Sequence, residues 1–306
     1  MLLRHINYLL AVAEHGNFTR AAEALHVSQP TLSQQIRQLE EQLGAVLLDR
    51  SGRAVRTTAA GDAYIVCARR ALRDLEAGRR AIHDVQDLSR GTLRLAFTPT
   101  FSSYLVGPLV ERFGASHPGL TLAVSEMAQE RMQAALADDR VDLGIAFAGA
   151  PADDIDCQPL FQERLGAVLG AGHALAGAAR LTPWQLRDEP LALLSADFAT
   201  RIHIDAYFRE HGVAPRIAIE ANSIGAIVEI ARRGRVATIL PLAIARVHPA
   251  LLAVALEPAP APRMVALLAR KGAYRSAAAQ AFAALAHSLA DEAGRAALLG
   301  LAPPVA

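Results

Sequence analysis

The chain has 306 residues, of which 52% are hydrophobic, and 31 basic residues against 30 acidic ones leave a formal net charge of +1. That length points to two or three domains. No apolar run approaches the roughly 20 residues a membrane-spanning helix needs, and Arg4, His5 and Asn7 interrupt any signal-peptide core, so no membrane partner and a cytoplasmic location are expected.

Leu2, Ile6, Leu9, Leu10 and Ala13 fall at helical spacing, which predicts an amphipathic helix over residues 4–15, with Gly16 as a left-handed cap. Asn17 or Thr19 can cap a second helix that carries Ala21, Ala22 and Leu25 inward. His26 and Val27 make a short turn. Ser28 then caps a third helix, and Pro30 lies in its first turn, where a missing N–H costs nothing. Ile36, Leu39 and Leu43 give that helix its buried stripe, and Gly44 stops it. Its other face carries Ser28, Gln29, Thr31, Ser33, Gln34 and Arg37, with acids only at the far end, at Glu40 and Glu41. These donors and acceptors suit base edges and phosphates in a major groove.

Six arginines and five acids in residues 1–60 make charge alone silent about nucleic acid. Position matters more. "LLDRSGRAVRTT", Leu47–Thr58, reads as a β-hairpin turning at Ser51-Gly52 and lined by Arg50, Arg53 and Arg56. A basic hairpin beside a polar helix can reach flanking phosphates or the minor groove. Helix, turn, polar helix and basic wing, in that order, predict a winged helix-turn-helix that binds double-stranded DNA. The stretch from Asn7 to Gly61, "NYLLAVAEHGNFTRAAEALHVSQPTLSQQIRQLEEQLGAVLLDRSGRAVRTTAAG", resembles the DNA-binding domain of LysR-type transcriptional regulators. The resemblance implies a dimerising linker helix and a C-terminal effector-binding domain. It also implies an operator or promoter as target, a homodimer or homotetramer, and RNA polymerase as a further partner.

From Ala59 to Ser89 there is no Pro, and Ile65, Leu72, Leu75, Ile82, Val85 and Leu88 recur at helical spacing. A helix of that length with one apolar stripe needs a partner, and its own copy is the simplest. Leu72, Leu75, Ile82 and Val85 are the expected dimerisation residues. Ser89–Gly91 reads as a hinge. Cys67 and Cys157 fit no metal or redox spacing and read as buried thiols.

After Gly91 the period changes. "TLRLAF" reads as a strand, "FSSYLVGPLVERFGASHP" as a helix, "LTLAVSE" as a strand, "ERMQAALADD" as a helix and "VDLGIAF" as a strand, the βαβαβ signature of a parallel sheet. A second set follows: strand "LGAVLG", short helix "TPWQL", strand "LALLS", helix "IHIDAYFREHG", strand "RIAIEA", helix "IGAIVEIARRG" and strand "VATILP". "MVALLAR" then returns as a strand, and "AAAQAFAALAHSLADEA" closes as a helix. The architecture predicted is a winged helix-turn-helix over 1–58, a linker helix and hinge over 59–90, and a two-lobed, periplasmic-binding-protein-like α/β domain over 91–306. Lobe I takes about 91–161 and 267–306, and lobe II about 162–266.

The ten histidines form no HxH or HExxH pair, and no GxSxG, Walker loop or GxGxxG occurs. A non-enzyme without cofactor or metal is expected. Two-lobed α/β domains take ligands beyond the carboxyl ends of their strands. The loops there hold Thr98, Thr100 and Ser102, then Phe198, Thr200 and Arg201, then Asn222 and Ser223. Three helix N-termini rich in hydroxyls and amides favour a small anion. Arg201 supplies the positive charge or pairs instead with Asp205. Within the family, "RHINYLLAVAEHGNFTRAA", "RAIHDVQDLSRGTLRLAFTPTFSSYLVGPL", "VDLGIAFA", "LLSADFATRIHIDAYF" and "IEANSI" resemble activators of cyanate-detoxification operons, which implies cyanate as effector. The alternatives are a regulator of this family sensing another small acid or a sulfur or amino-acid metabolite, and, of another class, a solute-binding protein or an α/β enzyme.

Overall fold

The computed structural model describes residues 3–52, 54–84, 91–149 and 152–298. Arg53 and Val85 lie outside the described residues, as does most of the expected hinge. By its contacts the chain divides into Met1–Ile82 and His83–Ala306.

In the first unit, α1 (Leu3–His15), α2 (Phe18–Ala24) and α3 (Gln29–Leu43) are followed by β1 (Leu48–Asp49), β2 (Arg56–Thr57) and α4 (Ala59–Asp84). The caps are local chemistry. Gly16 is left-handed at φ 58°. Asn17, not Thr19, caps α2, its Oδ1 accepting from the Thr19 N–H at 2.8 Å and the Arg20 N–H at 3.1 Å. Ser28 caps α3 through the Thr31 N–H, and Gly44 ends it at φ 64°. The stripe on α3 is Leu32, Ile36 and Leu39, all fully buried, whereas Leu43 is 38% exposed. The reason is at the helix end. The Glu40 carboxylate accepts the Leu47 and Leu48 N–H groups at 2.9 and 3.1 Å and folds the chain back, so these two leucines close the core in place of Leu43. β1 and β2 pair antiparallel as the expected wing. Gly61 is required where α4 departs: a Cβ there would lie 2.1 Å from the Leu47 carbonyl oxygen.

Along α4, Ile65 is buried in this core and Leu72 is half-buried, but Val66 and Leu75 are 67% and 51% exposed. Ile82 lies within α4, with its side chain outside what is described. Cys67 is also exposed and Cys157 half-buried, which corrects the expectation of two buried thiols. Cys67 follows Val66 on the side of α4 turned away from the core.

The second unit runs β3 (Gly91–Phe97), α5 (Pro99–Ser102), α6 (Val106–Ser116), β4 (Leu120–Glu126), α7 (Gln129–Ala137), β5 (Leu143–Phe147), β6 (Ile155–Glu163), β7 (Leu165–Gly170), β8 (Arg180–Leu181), α8 (Pro183–Arg187), β9 (Leu191–Leu194), α9 (Ala199–Glu210), β10 (Ile217–Ala221), α10 (Ile224–Arg232), β11 (Thr238–Pro241), α11 (Leu242–Val247), β12 (Leu251–Leu256), β13 (Arg263–Arg270) and α12 (Ala277–Leu298). The single helix expected over 101–118 is two. Pro108 would clash with the Tyr104 carbonyl in a continuous helix, and the chain instead turns at 103–105 and restarts with Pro108 in the first turn.

The first lobe is a sheet in the order β4-β3-β5-β13-β6, and the second joins β11-β7-β12-β8 to the pair β10-β9 through a bridge between Leu191 and Ala237. Since β6 ends at Glu163 and β13 begins at Arg263, these two residues, inside the expected bounds of lobe II, belong to lobe I. β3 runs parallel to β4 and β5, while β13 is antiparallel to both its neighbours and β7 to both of its own. Both sheets are therefore mixed, where βαβ patterning alone predicts parallel strands. The chain crosses between lobes twice, from β6 to β7 and from β12 to β13. Phe97, Phe101, Phe113 and Phe282 fill the core under α6 and α12. Among the described residues no helix is long and apolar enough to cross a membrane.

Candidate functional site

In the first unit the polar face of α3 stands open. Ser28, Gln29, Pro30, Thr31, Gln34 and Arg37 are exposed, Ser33 is half-buried, and Thr19 is exposed on α2. The fixed ladder of Leu32, Ile36 and Leu39 behind them sets which way they point. Arg50 behaves differently from the free wing arginine expected. Its guanidinium pairs with Glu40 at 2.7 Å and lies 5.2 Å from the Phe18 ring centre, tying the wing to α3 and α2. Val55 donates its N–H to the Gly16 carbonyl and pins the other arm of the hairpin. Glu40 is thus the residue that positions the wing, a role sequence reasoning missed. In the sequence it is one of two acids at the far end of the helix, and only the returning chain shows its three bonds.

The second unit turns its polar groups inward. Thr98 closes β3, and Thr100 sits on α5, each almost wholly buried. Across the cleft, Thr200 lies in the first turn of α9 at 0% exposure, and its hydroxyl meets that of Thr100 at 3.2 Å. Two of the three expected helix starts therefore converge. Ser102 donates to Glu126 at 2.6 Å on an exposed edge. Phe198 is half-buried against the core around Leu194 and Ile224. Asn222 and Ser223 are exposed, with Ser223 capping α10 through the Ala226 N–H. No hydrogen bond joins these four to the Thr100–Thr200 pair.

Arg201 is committed elsewhere. It pairs with Asp205 at 2.8 Å and Glu220 at 2.7 Å and donates to the Leu194 carbonyl. The second of its two expected roles is the one the geometry displays. Burial pulls its pKa down, but the hydrogen bonds it donates to these acids, with their charges, outweigh that and hold the pKa above the usual range.

The charge beside the threonines belongs to Arg263. Both its terminal nitrogens lie 3.2 Å from the Thr200 hydroxyl, and it ion-pairs with Glu163 and stacks over Phe147 at 3.9 Å. Tyr104 donates to the same Glu163 at 2.6 Å. Burial pushes the Glu163 carboxyl up despite the opposing pull of Arg263 and Tyr104, and burial beside that carboxylate raises the Tyr104 phenol well above its ordinary value. Arg263 and Glu163 are cross-strand partners on β13 and β6. Their meeting depends on a register between segments 100 residues apart, and no local pattern around either residue announces it.

The LysR substrate binding domain family matches residues 86–291, and the bacterial regulatory helix-turn-helix protein, lysR family, matches residues 3–62. The chain belongs to the LysR family of DNA-binding transcription regulators. This LysR-family regulator is 32% identical over 257 residues to the transcriptional regulator TfdS of Cupriavidus pinatubonensis, covering 81% of this chain and 85% of that one. It is 30% identical over 241 residues to the hydrogen peroxide-inducible genes activator of Pectobacterium carotovorum, covering 79% and 80%. Full-length OxyR from Pseudomonas aeruginosa superposes with a TM-score of 0.65 at 25% identity, over 94% of each chain. Full-length CbnR in complex with its target DNA gives 0.55 at 26% identity, over 95% of this regulator and all of CbnR. The two matched regions fall on the two units: an N-terminal helix-turn-helix and a two-lobed effector domain.

Proposed function

We propose that this regulator is a cytoplasmic homodimer or homotetramer that activates a cyanate-detoxification operon when cyanate occupies the cleft of its effector domain. The observation that carries the reading is the 3.2 Å contact between the Thr100 and Thr200 hydroxyls, one from each lobe. A ligand that takes the place of this contact has only a few atoms' width between the two hydroxyls unless the lobes part. So few atoms contribute little area, and affinity must come from charge and directed donors. Thr98, Thr100 and Thr200 provide hydroxyls, and Arg263 provides charge. A ligand that favours one lobe arrangement shifts the population toward it. On the DNA side, Gln29, Ser33 and Gln34 read bases, Arg37 and the wing hold backbone, and the exposed side of α4 around Leu75 pairs two copies. Half-sites of an imperfect palindrome then match the two heads.

The test has two arms. Calorimetry on the full chain with sodium cyanate, formate and nitrate measures which small anion binds. A promoter reporter with and without cyanate measures the response. Binding and induction by cyanate, with weaker effects of the other anions, is the expected outcome. Selective binding of a larger acid with no effect of cyanate would replace cyanate as the effector and leave the regulatory class intact.

A further inference from the structure

We propose that Arg263 reads the negative charge of the effector and that Glu163 is a built-in competitor for it, so that this internal carboxylate sets how much anion the regulator needs. The inference rests on the small-anion reading of the cleft given above.

Arg201 and Arg263 differ in how they are satisfied. Arg201 has two carboxylates and a carbonyl, all from its own lobe. Arg263 has one carboxylate from its own lobe and one hydroxyl from the other, that of Thr200. Its side chain is 9% exposed, and its Nε, buried, has no hydrogen-bond partner. Thr98, at 6% exposure, also has a buried hydroxyl without a partner, two residues from Thr100. Unpartnered buried donors are costly unless a ligand completes them. One belongs to the guanidinium that touches Thr200, and the other to a residue two places before Thr100.

A guanidinium fork prefers a carboxylate-like acceptor held in its plane. A small monoanion offers the same charge and acceptors, so it competes with Glu163 for the same nitrogens. Glu163 is fixed at the end of β6, next to the crossover, and its effective concentration at Arg263 is high. It is held there by the Tyr104 hydroxyl as well. Exchange therefore requires ligand in excess, and weakening Glu163 tightens ligand binding. A pair that served only to align β6 with β13 would affect stability and leave anion affinity alone.

The experiment titrates sodium cyanate, formate and nitrate into the full-length wild type and three variants by calorimetry, with thermal melts to establish folding. Glu163→Gln frees the fork, and its Kd should fall by about tenfold or more, the scale of one hydrogen bond to a charged group. Tyr104→Phe removes one support from Glu163 and should tighten binding by a smaller factor. The double variant Glu163→Gln/Arg263→Gln replaces the ion pair by two neutral amides, and it should fold and lose anion binding. Should Glu163→Gln fail to fold, the other two variants decide. Wild-type affinity in folded Glu163→Gln and Tyr104→Phe, or anion binding by the double variant equal to wild type, overturns the proposal. If the wild type binds none of the anions but Glu163→Gln binds one, competition is supported while the choice of natural effector fails. If neither binds any, the proposal falls together with the small-anion reading.

Discussion

The two units handle polar groups in opposite ways. The helix-turn-helix leaves Gln29, Thr31, Gln34 and Arg37 exposed on a rigid helix, with their bonding capacity directed outward. The effector domain buries Thr98, Thr100 and Thr200 and spends their neighbours' charges internally, in Glu163–Arg263 and in Arg201 with Asp205 and Glu220. One surface is complete only with a partner as large as a duplex. The other is nearly satisfied by its own side chains. The difference teaches how each unit is stabilised: the polar face of the head is aimed by fixed apolar scaffolding behind it, and the polar groups of the effector domain are held by one another.

Breaking the outward-facing unit should have the largest effect. Asp at Leu75 puts a charge on the exposed stripe of α4. The fold of the single chain tolerates it, because Leu75 is half exposed there, but a buried charge in a pairing seam is strongly unfavourable. Monomers by light scattering are expected, with loss of specific operator binding. Dimers of unchanged mass would put the seam elsewhere. Next is Thr100→Val, nearly isosteric, which removes a donor from the cleft. A hydrogen bond to a charged group contributes about 1.5–3 kcal/mol, so cyanate affinity should drop by more than tenfold while operator affinity without ligand stays as in wild type. Normal induction of the reporter would remove this cleft as the sensor.

Gln34→Ala sharpens the comparison inside the head itself. A good base contact is worth about 1–3 kcal/mol, and the loss should appear at one operator position only, read by competition with single-base variants. A uniform loss across all sequences would make Gln34 a backbone contact. The smallest effect belongs to Arg37→Ala. It should weaken binding to every sequence and flatten the slope of log affinity against log salt by about one unit. An unchanged slope would place Arg37 away from phosphate.

Most of the head was legible in the sequence because its signals are local. Gly16, Asn17, Ser28, Pro30 and Gly44 each punctuate a helix within one turn of themselves. The alternation of strands and helices after Gly91 was legible for the same reason. β6 and β12 escaped notice. "IDCQPLFQE" interleaves polar residues and a proline at a sheet edge, and "LLAVAL" follows a proline turn that reads as loop. In the cleft, Thr98, Thr100 and Thr200 could be found from their places after strands. Arg263 and Glu163 could not. Each is an ordinary end-of-strand charge until β13 folds back along β6 and sets them opposite one another. Leu43 failed for a related reason: periodicity says which face a residue is on, but not whether the core extends that far along the helix.

The double crossing of the chain between the lobes constrains how they move. β6 gives way to β7 across the single residue Arg164, and the return to β13 begins at Arg263, directly beside Glu163. Two adjacent backbone tethers resist shear and twist far more than they resist bending about the line that joins them. Two crossings side by side make the joint between the lobes a hinge with an axis, more like the pins of a door than a ball in a socket.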